Sequence, residues 1–208
     1  MRLLVIGGTR GAGLAFVVAA RAAGHEVLAL ARSNASAAAL QGPGAIAVSG
    51  DAMVKDDLSR LLALGDGASA VISFLGGTLE AGGIVDRTGN CLAIDAAAAL
   101  GPYRFILVTS LGCGDSLPLL PPNVRQRLGP ILLAKTDAEE HIRRSSLTWT
   151  IVRPGWLYDG PATGRGRLVV DPTAIGRIAR CELASLLIRA VADSGTRETT
   201  FAAVEDPA

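Results

Sequence analysis

The chain has little of what builds a metal centre, a disulfide framework, a nucleic-acid surface or a membrane span. Its 208 residues include two histidines, His25 and His141, and neither has a ligand-spaced partner, so a metal site has no donor set. Three cysteines, Cys91, Cys113 and Cys181, lie far apart and form no C-x-x-C pair. An odd, dispersed count suits reduced thiols, and Cys113 reads as ordinary packing. The net charge is +1 and the basic residues are dispersed, so nothing marks a nucleic-acid partner. No apolar run approaches the length of a membrane span. The first run, residues 3–6, meets glycine too soon to be the core of a signal peptide, which points to the cytoplasm. No repeat, low-complexity tract or linker divides the chain.

What is present is apolar and regularly punctuated. Half of the residues are apolar, and 208 residues suffice for one domain, read here as spanning 1–208. The run Leu3-Leu4-Val5-Ile6 ends in Gly7-Gly8-Thr9-Arg10-Gly11-Ala12-Gly13, and an alanine-rich helical pattern follows over 14–23. A strand that turns sharply into a helix needs glycine where the backbone bends or a ligand comes close. The N–H groups at such a helix start suit an anion such as a dinucleotide pyrophosphate. Further apolar runs predict strands at 25–31, 45–49, 69–75, 104–109, 149–152 and 199–204. Helical stretches fall at 55–64, 88–100, 124–144 and 173–192. The runs are continuous rather than alternating, as expected when helices cover both faces of a sheet. The alternation predicts an α/β fold with a Rossmann-type, doubly wound parallel sheet flanked by helices. Two Gly/Pro-rich loops, 111–123 and 154–166, leave the carboxyl ends of strands five and six, where ligands bind in such sheets, and are read as substrate loops.

The second strand ends Ala31-Arg32-Ser33-Asn34, a cation where an NAD-specific site would hold the ribose with an acid. The fork of Arg32 can grip a 2′-phosphate and Arg10 adds a second charge, so NADP(H) is expected rather than NAD(H). Asp51, followed by Ala52, has two readings: an acceptor for the adenine amino group, or a cap for the helix near Val54. Leu75-Gly76-Gly77-Thr78 ends strand four with small residues that let backbone approach the middle of the cofactor. Asp137, Glu139, Glu140 and His141 fall at helical spacing with Arg143 and Arg144 and are expected to form a solvated face.

On VIGGTRGAG, ALARS, SGDA, SFLGGT, ILVTSLGCGDS and TIVRPGWL the chain resembles the short-chain dehydrogenase/reductase superfamily over nearly its whole length. It is most similar to the atypical NAD(P)H-binding branch that includes biliverdin-IXβ reductase, a flavin reductase, and nitrogen-repression-type NADP sensors. Standard members catalyse with a Tyr-x-x-x-Lys pair on the helix after strand five. The matching positions here are Ile131 and Lys135, so the resemblance implies a ribose-binding lysine without the usual proton relay. The two tyrosines, Tyr103 and Tyr158, lie elsewhere; Tyr158, in the second loop, can reach the site from another direction. The resemblance sets Thr109 and Ser110 along the nicotinamide, with Ser110 orienting a substrate carbonyl or flavin edge. On its residues alone, Ser110 can simply end a strand with a turn hydrogen bond. Thr109-Ser110-Leu111-Gly112 is not a G-x-S-x-G elbow, which argues against a serine hydrolase. The resemblance also lays Pro154, Gly155 and Trp156 against the nicotinamide carboxamide, with Trp156 toward the substrate or else in the core.

The expected function is an NADPH-dependent reductase of a small conjugated molecule such as a flavin or quinone. Ser110 and Lys135 are the expected catalytic residues. The expected cofactor ligands are Gly7, Thr9, Arg10, Gly11, Ala12, Gly13, Arg32, Ser33, Asp51, Ala52, Leu75, Gly76, Gly77, Thr109, Lys135, Pro154, Gly155 and Trp156. The partner is a small-molecule substrate, with the protein a monomer or small homo-oligomer and no metal. The alternatives are a non-catalytic NADP(H) sensor that signals to a protein partner, and a biosynthetic isomerase or cyclase.

Overall fold

Strand β1 (Arg2–Ile6) is apolar on both faces, and its period of two sends Leu3 and Val5 one way and Leu4 and Ile6 the other. Both sets are fully buried, so each face must carry a helical layer. The computed structural model describes residues 1–77, 83–101 and 104–206. Around β1 it arranges α1 (Gly11–Ala22), β2 (Glu26–Ala31), α2 (Asn34–Gln41), β3 (Ile46–Ser49), α3 (Lys55–Leu64) and β4 (Ala70–Ser73). A π-helical turn at Val85–Gly89 leads into α4 (Asn90–Leu100), followed by β5 (Arg104–Val108), α5 (Pro122–Arg143) and β6 (Thr148–Pro154). The chain ends with β7 (Trp156–Tyr158), β8 (Gly166–Val169), β9 (Arg177–Ala179), α6 (Arg180–Ala192) and β10 (Thr199–Glu205).

The main sheet has the order β3-β2-β1-β4-β5-β6-β10-β8. Its pairs are parallel except β10 with β8, which is antiparallel at the edge. On one face, Phe16 and Val17 of α1 and Leu183 and Leu187 of α6 pack on Leu3, Val5, Val27, Ile106 and Val152. On the other, Leu58, Leu61 and Leu62 of α3, Ile94 of α4 and Ile142 of α5 pack on Leu4, Ile6, Val71, Phe105 and Ile151. Each such side chain contributes roughly 1.5–3 kcal/mol by leaving water, enough to hold two helical layers on the sheet. The strand order reverses between β1 and β4, and a crevice opens there at the carboxyl ends. Among the described residues, no helix is long and apolar enough to cross a membrane.

The doubly wound parallel sheet forms, with β1–β6 and β10 where the apolar runs predict them. Four parts differ. The short strands Trp156–Tyr158 and Gly166–Val169 fall in and just after the stretch expected as a loop, where they pair with Arg177–Ala179 and with β10. The helix expected over 173–192 starts at Arg180, because Arg177–Ala179 pairs in parallel with Trp156–Tyr158 as a separate two-stranded sheet. Helix α2 was not expected: its one fully buried large apolar side chain, Leu40, leaves no periodic stripe to read. The loop at 111–123 contains a 3-10 helix at Gly114–Leu119, which buries Ser116 through its bonds to Gly112 N and Cys113 O. Thr78 and Tyr103 lie outside the described residues.

Candidate functional site

The turn from β1 into α1 has room for glycine only. Gly7 has φ +79°, and a Cβ there would sit 2.8 Å from the carbonyl carbon of Phe74, at the end of β4. A Cβ on Gly13 would overlap the carbonyl oxygen of Gly7. The glycines therefore bring the start of α1 down onto the crevice between β1 and β4. The N-cap residue Arg10 makes no side-chain capping bond, and the first turn of α1 has no acid. The positive end of the helix is thus left without a countercharge of its own.

A cleft of about 890 Å³ runs along this crevice. The glycine turn contributes Gly7, Thr9, Arg10, Gly11, Ala12 and Gly13; the end of β2 gives Arg32, and the segment after β3 gives Asp51 and Ala52. Leu75, Gly76 and Gly77 follow β4, Thr109 and Ser110 follow β5, Pro154 ends β6, and Lys135 and Ile131 project from α5. Ser33, by contrast, is the N-cap of α2, its Oγ accepting from Ser36 N, and it is Ser36 that lines the cleft. Asp51 does not cap α3, whose N-cap is Val54. Its Oδ1 accepts from Met53 N, and its own N–H donates to Asp57 Oδ2 at 2.8 Å. That bond holds the Asp57 carboxyl below the usual carboxylate range. Gly155 and Trp156 line a neighbouring pocket instead.

Lys135 is fixed by a residue that sequence reasoning missed. Its Nζ pairs with Asp86 Oδ1 at 2.7 Å, and Asp86 Oδ2 accepts from Gly77 N at 2.9 Å. Lys135 Nζ also donates to the carbonyl of Leu75 at 3.4 Å. Asp86 is fully buried on the π-helical turn, a device common at functional sites. The lysine head and the backbone after β4 are therefore one unit. No periodic signal marks Asp86, which precedes the stretch that reads as helix.

A second buried cluster lies beneath Thr109 and corrects the solvated face expected at 137–141. Glu139 is fully buried, accepting from Thr109 Oγ1 at 2.7 Å and from Arg153 at 3.0 and 2.7 Å. Arg153 also pairs with Asp115 of the 3-10 helix, and Arg143 reaches Glu139 at 3.2 Å. Burial alone would lower the Arg153 pKa, but the bonds to Glu139 and Asp115 outweigh it and raise it above its ordinary value. The same guanidinium holds the Asp115 carboxyl low. Asp137, Glu140 and His141 do form outward pairs, with Arg87, Arg144 and Asp95. Helical spacing cannot tell Glu139 from its neighbours, because the cation that buries it stands on β6. Cys113 packs against this cluster, and burial together with Glu139 pushes its thiol up to about 12.

Ser110, Pro154 and Leu157 form the seam where the cleft meets a second pocket of about 360 Å³. Its walls are apolar: Leu111, Leu119, Leu120, Val124 and Leu128 from one loop and α5, and Trp156, Ala174 and Ile175 from the other side. Trp156 is 73% exposed, so it is a wall of this pocket and not core. The Ser110 hydroxyl donates to Leu111 O at 2.9 Å. Tyr158 lines neither pocket: its hydroxyl donates to Glu205, which raises its pKa and holds it away from the cleft.

Comparison with known proteins agrees with this geometry. Residues 7–194 match the family model described as NAD(P)H-binding. ChuY of Escherichia coli O157:H7, described as an anaerobillin reductase, superposes with a TM-score of 0.87 over 100% of both chains at 29% identity. The uncharacterized sugar epimerase YhfK of Bacillus subtilis (strain 168) is 31% identical over 181 residues, 85% of this chain and 81% of its own length. Sanguinarine reductase of Eschscholzia californica is 31% identical over 125 residues, 56% of this chain and 44% of its own length. With its glycine turn opening onto the crevice between β1 and β4, the chain belongs to the NAD(P)H-binding family and has its Rossmann-type fold.

Proposed function

We propose that the protein is an NADPH-dependent reductase of a small, flat, conjugated acceptor. The observation that carries this reading is the seam at Ser110, Pro154 and Leu157, where a long polar-and-apolar cleft opens into a smaller apolar pocket. A dinucleotide fits the cleft on three grounds: the glycine cradle that a Cβ would fill, the uncapped start of α1, and the Lys135–Asp86 unit at the far end. When bound, the nicotinamide supplies the hydride. Arg10, Arg32 and Ser36 would hold a 2′-phosphate, and Lys135 would donate to ribose hydroxyls. Asp51 would accept from the adenine amino group. Pro154 and Gly155 would flank the carboxamide, with Trp156 covering the acceptor and the 111–123 and 154–166 loops forming its pocket.

The proton is handled by exclusion. Ile131 stands where standard relatives have the acid and has none to give, while Tyr158 is tied to Glu205. An acceptor whose reduced form is stabilised by delocalisation can take its proton from solvent, whereas a simple ketone needs an acid at the developing alkoxide. Ser110 would then orient the acceptor edge. The apolar walls support an aromatic acceptor over a sugar, whose hydroxyls would lie unpaired against Leu and Trp.

The test is NADPH oxidation followed by absorbance with flavins and quinones, beside a sugar-nucleotide arm, with nucleotide affinities from fluorescence titration. Turnover with a conjugated acceptor is the expected result. Ile131 favours one second reading, a redox sensor, and tight NADPH binding without turnover on any arm would select it. Conversion of a sugar nucleotide without net oxidation would select an isomerase.

A further inference from the structure

The first turn of α6 is strapped to the loop that follows β7. Arg180 pairs with Asp159 at 2.8 Å, Cys181 Sγ reaches the carbonyl of Gly160 at 3.1 Å, and Glu182 accepts from the N–H groups of Thr163 and Gly164 at 2.9 and 3.0 Å. Of these three α6 residues, Arg180 also lines the cleft. It stands over the glycine turn: a Cβ on Gly11 would lie 3.9 Å from Arg180 Nε. Arg10 contributes a second cation at the same place, and the first turn of α1 contains no acid. Cations gathered at the positive end of a helix repel one another and the helix, unless an anion comes between them. The present partner of Arg180 is a poor match for that task. Asp159 is 88% exposed, and an ion pair of that kind contributes little in water.

We infer that Arg180 is a phosphate ligand of the bound dinucleotide, presented from the wall opposite the glycine turn, and that it gives up Asp159 to take the phosphate. The inference rests on reading the cleft as a dinucleotide site. A guanidinium offers two parallel N–H donors to a phosphate, a stronger arrangement than its exposed carboxylate pair. The exchange removes one of the ties that hold residues 159–164 to α6. Cofactor occupancy is thereby transmitted to the loop beside β7, whose Trp156 and Leu157 line the apolar pocket.

The experiment is fluorescence titration with NADPH of the full chain and of Arg180→Ala, Arg180→Lys and Asp159→Asn. It is paired with backbone hydrogen exchange of residues 159–164 with and without NADPH. Losing a charge-assisted bond should weaken NADPH binding by about tenfold in Arg180→Ala, with partial recovery in Arg180→Lys. Asp159→Asn removes the competitor, so binding should tighten by about twofold to threefold, given how little an exposed pair contributes. NADPH should speed exchange at 159–162 in the wild type, and in Arg180→Ala the fast rate should be present without nucleotide. Unchanged affinity in Arg180→Ala, or weaker binding in Asp159→Asn, would overturn the inference while the NADPH reading stands. A wild-type protein that binds no dinucleotide would overturn both.

Discussion

Glu139 and Arg153 close a two-point ion pair inside the protein, Nε to Oε1 at 3.0 Å and Nη2 to Oε2 at 2.7 Å, with Thr109 donating to the same carboxylate. The pair joins α5 to the end of β6, and through Asp115 it joins the 3-10 helix that walls the apolar pocket. Thr109 and Arg153, which directly precede the seam residues Ser110 and Pro154, are thus held by one buried carboxylate.

Removing Glu139 leaves the buried Arg153 guanidinium with only the exposed Asp115 carboxylate as counterion. Glu139→Ala is therefore expected to lose about 3–5 kcal/mol of stability. Glu139→Leu combined with Arg153→Met should recover most of that loss, because an apolar pair of similar volume needs no counterion. Denaturant unfolding of the two variants checks this, and equal losses in both would contradict it.

Ser110 lines both the cleft and the apolar pocket, and among the described residues its hydroxyl donates to the carbonyl of Leu111. Ser110→Ala should lower turnover with a conjugated acceptor by about tenfold, the scale of one substrate hydrogen bond, with little change in NADPH affinity. Steady-state kinetics beside fluorescence titration measures the two separately. Equal losses in both would assign Ser110 to the cofactor.

The parts of the molecule that could be read in advance are those whose cause is local. Leu3–Ile6 against Gly7, Gly11 and Gly13 announces a buried strand and a tight turn within one dozen residues, and the structure requires glycine at two of those places. Ile131 and Lys135 are read on one helix, and both line the cleft. What escaped depends on partners distant in the chain. Glu139 looks like its solvated neighbours until β6 brings Arg153 under it, and Asp86 becomes a site residue only when α5 delivers Lys135 to 2.7 Å. Arg180 is an ordinary helix-start cation until α6 docks beside α1. The pairing of Arg177–Ala179 with Trp156–Tyr158 is equally non-local, and it shortened a helix that periodicity extended.

The Lys135–Asp86 unit separates stability from function. Lys135→Met should cost stability on the order of 3–5 kcal/mol by stranding the buried Asp86 carboxylate. Lys135→Met with Asp86→Asn should refold close to wild-type stability, since no charge remains unpaired, yet still bind NADPH weakly because the donor proposed for the ribose is gone. Thermal unfolding and NADPH titration of both variants provide the readouts. Recovery of affinity in the double variant would remove Lys135 from the cofactor site.

Cys113 supplies a pH dependence whose sign follows from burial. Its thiol is fully buried next to Glu139, and burial first and that carboxylate second push its pKa up to about 12. In the unfolded chain a thiol loses its proton near pH ~8.5. Below that pH both states hold the proton and the folded protein has its full stability. Between the two pKa values the unfolded state alone ionises, so stability falls as pH rises, with a slope approaching about 1.4 kcal/mol per pH unit. Above about pH 12 the folded thiol ionises as well and the loss levels off. Cys113→Ala removes this component, so the difference between the wild-type and variant unfolding free energies should be flat at neutral pH and decline above pH ~9. At neutral pH the same burial should leave Cys113 unlabelled by iodoacetamide in the folded protein, while the partly exposed Cys91 and Cys181 react first. Labelling of Cys113 at the rate of Cys181, or a difference that stays flat into the alkaline range, would show that the thiol is open to solvent.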